Sequence, residues 1–308
     1  MNARTQVEAA RSTVLALPRR GTAVLTVTGR DRLSWLNGLL TCDLAKRRPG
    51  EAVYGLVVAR NGRVLADAVV LVEEERVLAA VPVSALPTLR QHFDHYLVME
   101  DAQVAPEEDA FDVWALHGPR SGEVVRAARV AGAVVGELDR TGLGGGVVLA
   151  PHEHAERVRS AIATDLAKCG GSVGDDVGWE ALRIERAVAE FGVDFDDKTY
   201  PQEAGLEKVA VSFEKGCYLG QEVVCMLEMR GHVKRRLVAL VTDAPEAPLK
   251  GAPVTDSAEA IVGEVTSAAL SPTLSKPVAL AMLKRAHTDP GSVVSVGGVR
   301  ATVVERPA

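Results

Sequence analysis

Ala52-Val-Tyr-Gly-Leu-Val-Val-Ala-Arg-Asn61-Gly62-Arg-Val-Leu-Ala-Asp67-Ala-Val-Val-Leu-Val72 is the stretch that decides the class of fold. Two runs rich in β-branched and apolar residues, about Ala52 to Ala59 and Val64 to Val72, flank an Asn-Gly pair. Asn and Gly accept the positive φ that a tight turn needs, so the stretch reads as an antiparallel hairpin. Upstream, Thr22 to Thr28 is a strand that Gly29 ends. Leu33, Leu36, Leu39 and Leu40 recur at helical spacing over Asp31 to Leu40. The first 16 residues read as a short helix that stops before Pro18.

Downstream the pattern stays mixed. Strands are expected at Arg76–Val81, Phe111–Leu116, Ala133–Leu138 and Gly146–Leu149. Helices are expected from Ser84 to about Leu97, at Arg120–Arg129, at His152–Lys168 and at Val177–Ala189, the last capped by Asp175 or Asp176. Such an order predicts an α+β fold with mixed and antiparallel sheets, not a doubly wound nucleotide fold. Gly192 to Lys215 is a long irregular stretch, and a helix follows at Gln221–Met229. Beyond Arg236, short strands alternate with Pro and Gly at the spacing of a small β-barrel. The organisation expected is two intimately packed α+β modules over 1–235 and a C-terminal barrel over 236–308.

The chain of 308 residues carries 35 basic and 41 acidic side chains, a net charge of −6. That balance argues against a protein that blankets nucleic acid. No apolar run nears the roughly 20 residues that span a bilayer. The N-terminus lacks the pattern of a secretory signal, so a cytoplasmic protein without a membrane role is expected. The four cysteines form no C-x-x-C pair, and the seven histidines show no ligand spacing, so no bound metal is expected. Gly142-Leu-Gly-Gly-Gly146 continues into a strand and lacks the context of a phosphate loop.

Four features could carry chemistry. Cys217 lies in Lys215-Gly-Cys-Tyr-Leu-Gly-Gln-Glu222, where the following helix and the Lys215 cation would favour a reactive thiolate. Trp179 and Glu185 share one helix. An indole that stacks and a carboxylate that takes paired N–H bonds would suit a flat heterocycle such as a pterin. Asp67 is a lone acid in an apolar strand and needs a partner or a task. Arg230-Gly-His-Val-Lys-Arg-Arg236 concentrates positive charge where a ligand's anionic tail could be held. It lacks the aromatics of single-strand nucleic-acid sites.

Together these segments resemble the YgfZ family, folate-binding relatives of the glycine-cleavage T-protein. Lys215 to Glu222 resembles that family's K-G-C-[FY]-x-G-Q-E signature. Arg183-Ile-Glu185, Phe191–Phe195 and Pro201–Gly205 resemble the lead-in, and Trp35–Asp43 and Asn61–Asp67 the first folate-binding segments. The resemblance implies T-protein-like modules arranged around a central pocket for tetrahydrofolate or a one-carbon derivative. It implies Trp179, Glu185, Asp67 and Arg230 as folate contacts, and Cys217, aided by Lys215, as the functional centre. It implies an accessory protein of transferase-like ancestry, not a conventional enzyme, that serves iron–sulfur cluster assembly or repair with iron–sulfur client proteins as partners. Two alternatives stay open: an aminomethyltransferase of glycine cleavage, which Asp67 fits, and a folate-dependent tRNA-modification factor, whose support is the run Arg230–Arg236. The chain departs from the family at Cys225 and Met226, where an arginine is usual.

Overall fold

The computed structural model describes residues 2–107, 110–229, 231 and 233–308, and forms two compact units. One comprises residues 9–174 and 208–223. The other comprises the residues up to Glu8, 175–207 and 224–308.

The first unit holds two five-stranded sheets. One runs in the order Ala52–Val58, Val64–Val72, Val77–Pro82, Thr22–Thr28, Gln103–Glu107, antiparallel throughout. The hairpin expected around Asn61 is present. Val58 pairs with Val64, a bulge follows Val57, and Gly62 takes the positive φ (78°) of the turn. The second sheet runs Ser172–Val173, Leu15–Pro18, Phe111–His117, Gly145–Pro151, Val134–Glu137. Its first pair is parallel and the rest are antiparallel.

Side-chain alternation builds this unit in layers. Phe111, Val113, Val147 and Leu149 on one face of the second sheet meet Val24, Leu71, Leu78 and Ala80 of the first. Trp114, Leu116, Val148 and Ala150 on the other face meet the helices Ser121–Val130 and Ala155–Cys169, through Val124, Val125, Val158, Ile162 and Leu166. Two apolar faces on one sheet explain why its strands read as near-continuous hydrophobic runs.

The second unit contains the helix Asp176–Glu185 and a closed six-stranded barrel. Its strand order is Arg235–Thr242, Lys276–Lys284, Ile261–Ser271, Pro253–Thr255, Val293–Val296, Val299–Val304. Leu240, Val254, Val265, Ala281, Leu283, Val294 and Val303 fill its interior. Asp175 caps the helix by accepting from Gly178 N at 3.0 Å. Gln6 reads both polar groups of that cap: its amide donates to Asp175 Oδ1 (2.8 Å) and its oxygen accepts from Asp175 N (2.9 Å). A Cβ on Gly178 would overlap this Gln6 side chain, so the glycine is a packing requirement.

The expected class, α+β with a C-terminal barrel, is the observed one. Local differences have physical causes. The N-terminal helix ends at Ser12, and Leu15–Pro18 is a strand between two others. A four-residue apolar run carries no period of its own, so burial in the sheet decides its state. Ser172–Val173, two residues between glycines, is a strand only because Leu15 and Ala16 lie beside it.

Candidate functional site

In the first unit the alternation of Val64–Val72 turns Asp67 away from the buried Ala66 and Ala68. The carboxylate does not stand alone. The hydroxyl of Tyr54, on the neighbouring strand, donates to Asp67 Oδ2 at 2.9 Å. Arg140 Nη1 lies 3.8 Å from the same oxygen, and the Asp67 side chain is 14% exposed. The Arg140 guanidinium carbon sits 3.7 Å from the centroid of the Tyr54 ring, a stacked cation–π contact. Tyr54 is 4% exposed, so the ring is a fixed platform for the cation and its hydroxyl a fixed anchor for the acid.

The glycine-rich stretch Gly142–Gly146, which lacks the context of a phosphate loop, belongs to the turn that presents Arg140. Asp139 Oδ1 accepts from Thr141 N (2.9 Å) and Gly142 N (2.7 Å), and Oδ2 from Gly144 N (2.9 Å). Burial opposes the charge on Asp139, but these N–H groups outweigh it and hold the carboxyl below its usual range. The result is a compact turn with Arg140 at its start. The signal was Asp139-Arg-Thr-Gly-Leu-Gly-Gly145, an Asp side chain offered a ring of backbone donors.

The Lys215–Glu222 segment is sewn down on both sides of Cys217. Lys215 Nζ donates to the carbonyls of Asn37 (2.6 Å), Leu40 (2.8 Å) and Cys42 (2.6 Å). Leu219 N donates to Gly38 O at 2.9 Å. Gly220 has φ 78°, and its ideal Cβ would fall within 2.4 Å of Ala59 O in the hairpin turn. Cys217 is the exposed apex of this clamped loop. All three ammonium protons of Lys215 thus point into a carbonyl cage. Burial pushes the Lys215 pKa down to about 8. The helix Gln221–Met229, at the bounds expected from the sequence, begins four residues after Cys217. The other cysteine near the cage, Cys42, packs its sulfur where Gly55 lacks a side chain, and burial raises its thiol pKa to about 11.

Trp179 and Glu185 belong to the second unit, and their polar atoms are engaged there. Trp179 Nε1 donates to Glu190 at 3.0 Å, and the indole is 7% exposed. Glu185 is fully buried and accepts from Ser271 Oγ (2.5 Å), Thr273 N (3.0 Å) and Thr273 Oγ1 (2.9 Å). The Glu185 carboxylate, expected to read a pterin, fastens its helix to the barrel turn at 271–273. Its neighbour Arg183, fully buried, pairs with Asp194 (2.7 Å) and Glu180 (2.6 Å), while Asp194 accepts from Thr266 and Ser267, each at 2.6 Å. Charge-assisted bonds on every side make this a brace between helix and barrel.

Of the basic run, Arg230 and His232 lie outside the described residues. Arg235 pairs with Glu203 (3.1 Å) and Arg236 with Glu207 (2.5 Å), so these two cations answer acids of their own unit. Among the described residues no group of three or more His, Cys, Asp or Glu could hold a metal ion, and no helix is long and apolar enough to cross a membrane.

With this geometry in hand, comparison with known proteins separates the readings. Residues 2–133 match the GCVT N-terminal domain, and residues 235–308 match the glycine cleavage T-protein C-terminal barrel domain. The chain is 29% identical over 295 residues to an aminomethyltransferase of Streptomyces coelicolor, covering 87% of this chain and 77% of that protein. It is 29% identical over 308 residues to an aminomethyltransferase of Thermotoga maritima, covering 91% and 82%. Among solved structures, the glycine cleavage system aminomethyltransferase T of Bartonella henselae superposes with a TM-score of 0.86 at 19% identity, over 99% of this chain and 89% of that one, and so shares its fold. These matches overturn the expectation of an iron–sulfur accessory protein. Relatives spanning both domains are named for aminomethyl transfer, the reading set second to it in the sequence.

Proposed function

As a T-protein-like protein, with the GCVT N-terminal domain and the T-protein barrel domain in one chain, this protein, we propose, is an aminomethyltransferase that uses tetrahydrofolate as acceptor and a lipoylated carrier protein as donor. The observation that carries the proposal is the Asp67–Tyr54–Arg140 cluster. An acid displayed from an apolar strand, with its rotamer anchored by a hydroxyl and its charge faced by a guanidinium, fits the amine and ring N–H groups of a reduced folate.

Tetrahydrofolate would supply the nitrogen that takes up the carbon. Two C–N bonds form, from the transferred carbon to two nitrogens of the folate, while its bonds to the carrier sulfur and to the amine nitrogen break; the two N–H protons the folate loses leave with the carrier thiol and the ammonia. Asp67 takes the proton that the attacking nitrogen sheds and faces the positive charge that develops there. Arg140 and the Tyr54 hydroxyl hold the carboxylate in place for that transfer, so both are positioning residues. Trp179 and Glu185 have no part in this reading, because their polar atoms are spent within the second unit. Within the superfamily the Lys215–Glu222 segment, with Cys217 exposed at its apex, supports a YgfZ-type branch.

The test is transfer from an aminomethylated lipoyl carrier to tetrahydrofolate, followed by ammonia release. Wild-type protein is expected to turn over. Asp67→Asn, which keeps the shape and the Tyr54 bond, is expected to lose about a hundredfold or more in kcat/KM. Absence of wild-type turnover, or an Asp67→Asn variant of full activity, overturns the proposal.

A further inference from the structure

A concave site lies in the first unit, beside the strands Leu15–Pro18 and Phe111–His117 of the second sheet. The cavity is about 600 Å³. That is the size of a small-ligand site, and nothing in the proposed transfer chemistry uses it. Its walls carry Arg19, Arg20, Arg159 and His152, with Asp112 the one acid among the described lining residues. Trp114, Phe111 and Val173 give it an apolar side. In a chain of net charge −6, three guanidiniums converging on one hollow is a local reversal of sign.

The geometry of Arg159 makes the hollow more than a patch. Its Nη2 donates to Asp112 at 2.9 Å and its Nη1 to Glu156 at 2.7 Å. Two carboxylates thus brace the guanidinium from two sides, so little ordering is left for a ligand to impose. The other Asp112 oxygen lies 3.9 Å from His152 Nε2, so the one acid in the wall faces Arg159 on one side and the imidazole on the other. Arg20 is exposed and extends the positive wall. Apolar lining with a few convergent cations suits an organic body that ends in a multiply charged oxyanion.

We propose that this cleft is a second ligand site, for a small organic anion carrying phosphate or clustered carboxylates, with Arg20 and Arg159 as its anion-reading residues. Inorganic pyrophosphate and citrate present these two chemistries, and calorimetric titration of the full chain with each, at low and at high salt, tests the site. Saturable binding of one equivalent is expected for at least one anion, weakening as salt rises. The tighter of the two assigns the chemistry. Arg20→Ala, at an exposed position, and Arg159→Lys, which keeps the charge but loses the fork, are each expected to weaken binding about tenfold. Asp67→Asn is expected to bind as wild type, which separates this site from the transfer site. If neither anion saturates the wild-type protein, or if both variants bind as tightly as wild type, the proposal is wrong. Should one variant lose its fold, seen in its melting profile, the other decides.

Discussion

Replacing Lys215 by Met isolates the carbonyl cage. Methionine keeps the length and packing of the lysine stem but offers nothing to the carbonyls of Asn37, Leu40 and Cys42, which stand 2.6, 2.8 and 2.6 Å from the ammonium. Hydrogen bonds from a charged donor contribute roughly 1.5 kcal/mol or more apiece. Against that sum stands the dehydration of the ammonium, visible in a pKa that burial lowers to about 8. The variant escapes that cost but leaves three carbonyls facing a thioether, so a net loss of about 3 kcal/mol is expected. For a unit of this size that corresponds to a fall in Tm of roughly 6–12 °C. Urea unfolding followed by Trp35 and Trp114 fluorescence, both in this unit, reads the change. Lys215→Arg should not rescue it, because a planar fork cannot address three converging carbonyls. A Lys215→Met variant within about 0.5 kcal/mol of wild type would refute the cage as a stabilising element.

Three further outcomes follow from particular contacts. Glu185→Gln turns an amide toward donors at Ser271 and Thr273 and is expected to cost about 2–3 kcal/mol, with tetrahydrofolate affinity of the folded fraction unchanged; calorimetry showing specific loss of folate binding with intact stability would restore the pterin role. Gly220→Ala places a Cβ 2.4 Å from Ala59 O at a φ of 78°, so thiol-alkylation kinetics at Cys217 should change as the loop is displaced, and unchanged kinetics would count against the clamp. His92 has its pKa lowered from 6.5 to about 4 by burial and then by His95. The unfolded chain therefore binds more protons between those values, and stability present above pH 6.5 is lost as pH falls toward 4, by about 2 kcal/mol after solvent screening. Urea midpoints against pH should flatten over that window in His92→Gln, and an unaltered slope would show that His92 is not responsible.

Much of the scaffold is legible from local chemistry. Val64–Val72 and Gln221–Met229 are bounded by residues that speak for themselves, Asn61-Gly62 before the strand and Gly220 before the helix. Leu15–Pro18, Gln103–Glu107, Ser172–Val173 and Pro253–Thr255 were not legible, because each is a strand only through distant neighbours. The same division runs through the site. Asp67 announced itself as an acid in an apolar run, and Tyr54 joins it within the hairpin, but Arg140, from the loop before Gly145–Pro151, becomes its companion only when the two sheets pack. Trp179 and Glu185 share helical spacing, but Ser271 and Thr273, more than eighty residues downstream, decide what the Glu185 carboxylate does.

A buried polar side chain therefore has to be judged by whether its partners exhaust it. Glu185 accepts three bonds inside the second unit, Lys215 gives three inside the first, and Arg183 divides its fork between Glu180 and Asp194. Each has the chemistry of a catalytic group, yet its capacity is consumed by the fold, as low dielectric requires of a buried charge. Asp67 differs in kind. Its carboxylate keeps partial exposure, takes a bond from the neutral Tyr54 hydroxyl and faces the Arg140 guanidinium, whose Nη1 lies 3.8 Å from Oδ2. A proton acceptor that must release what it takes needs access to its substrate, and the partial exposure of Asp67 is why the proposed transfer is assigned to it.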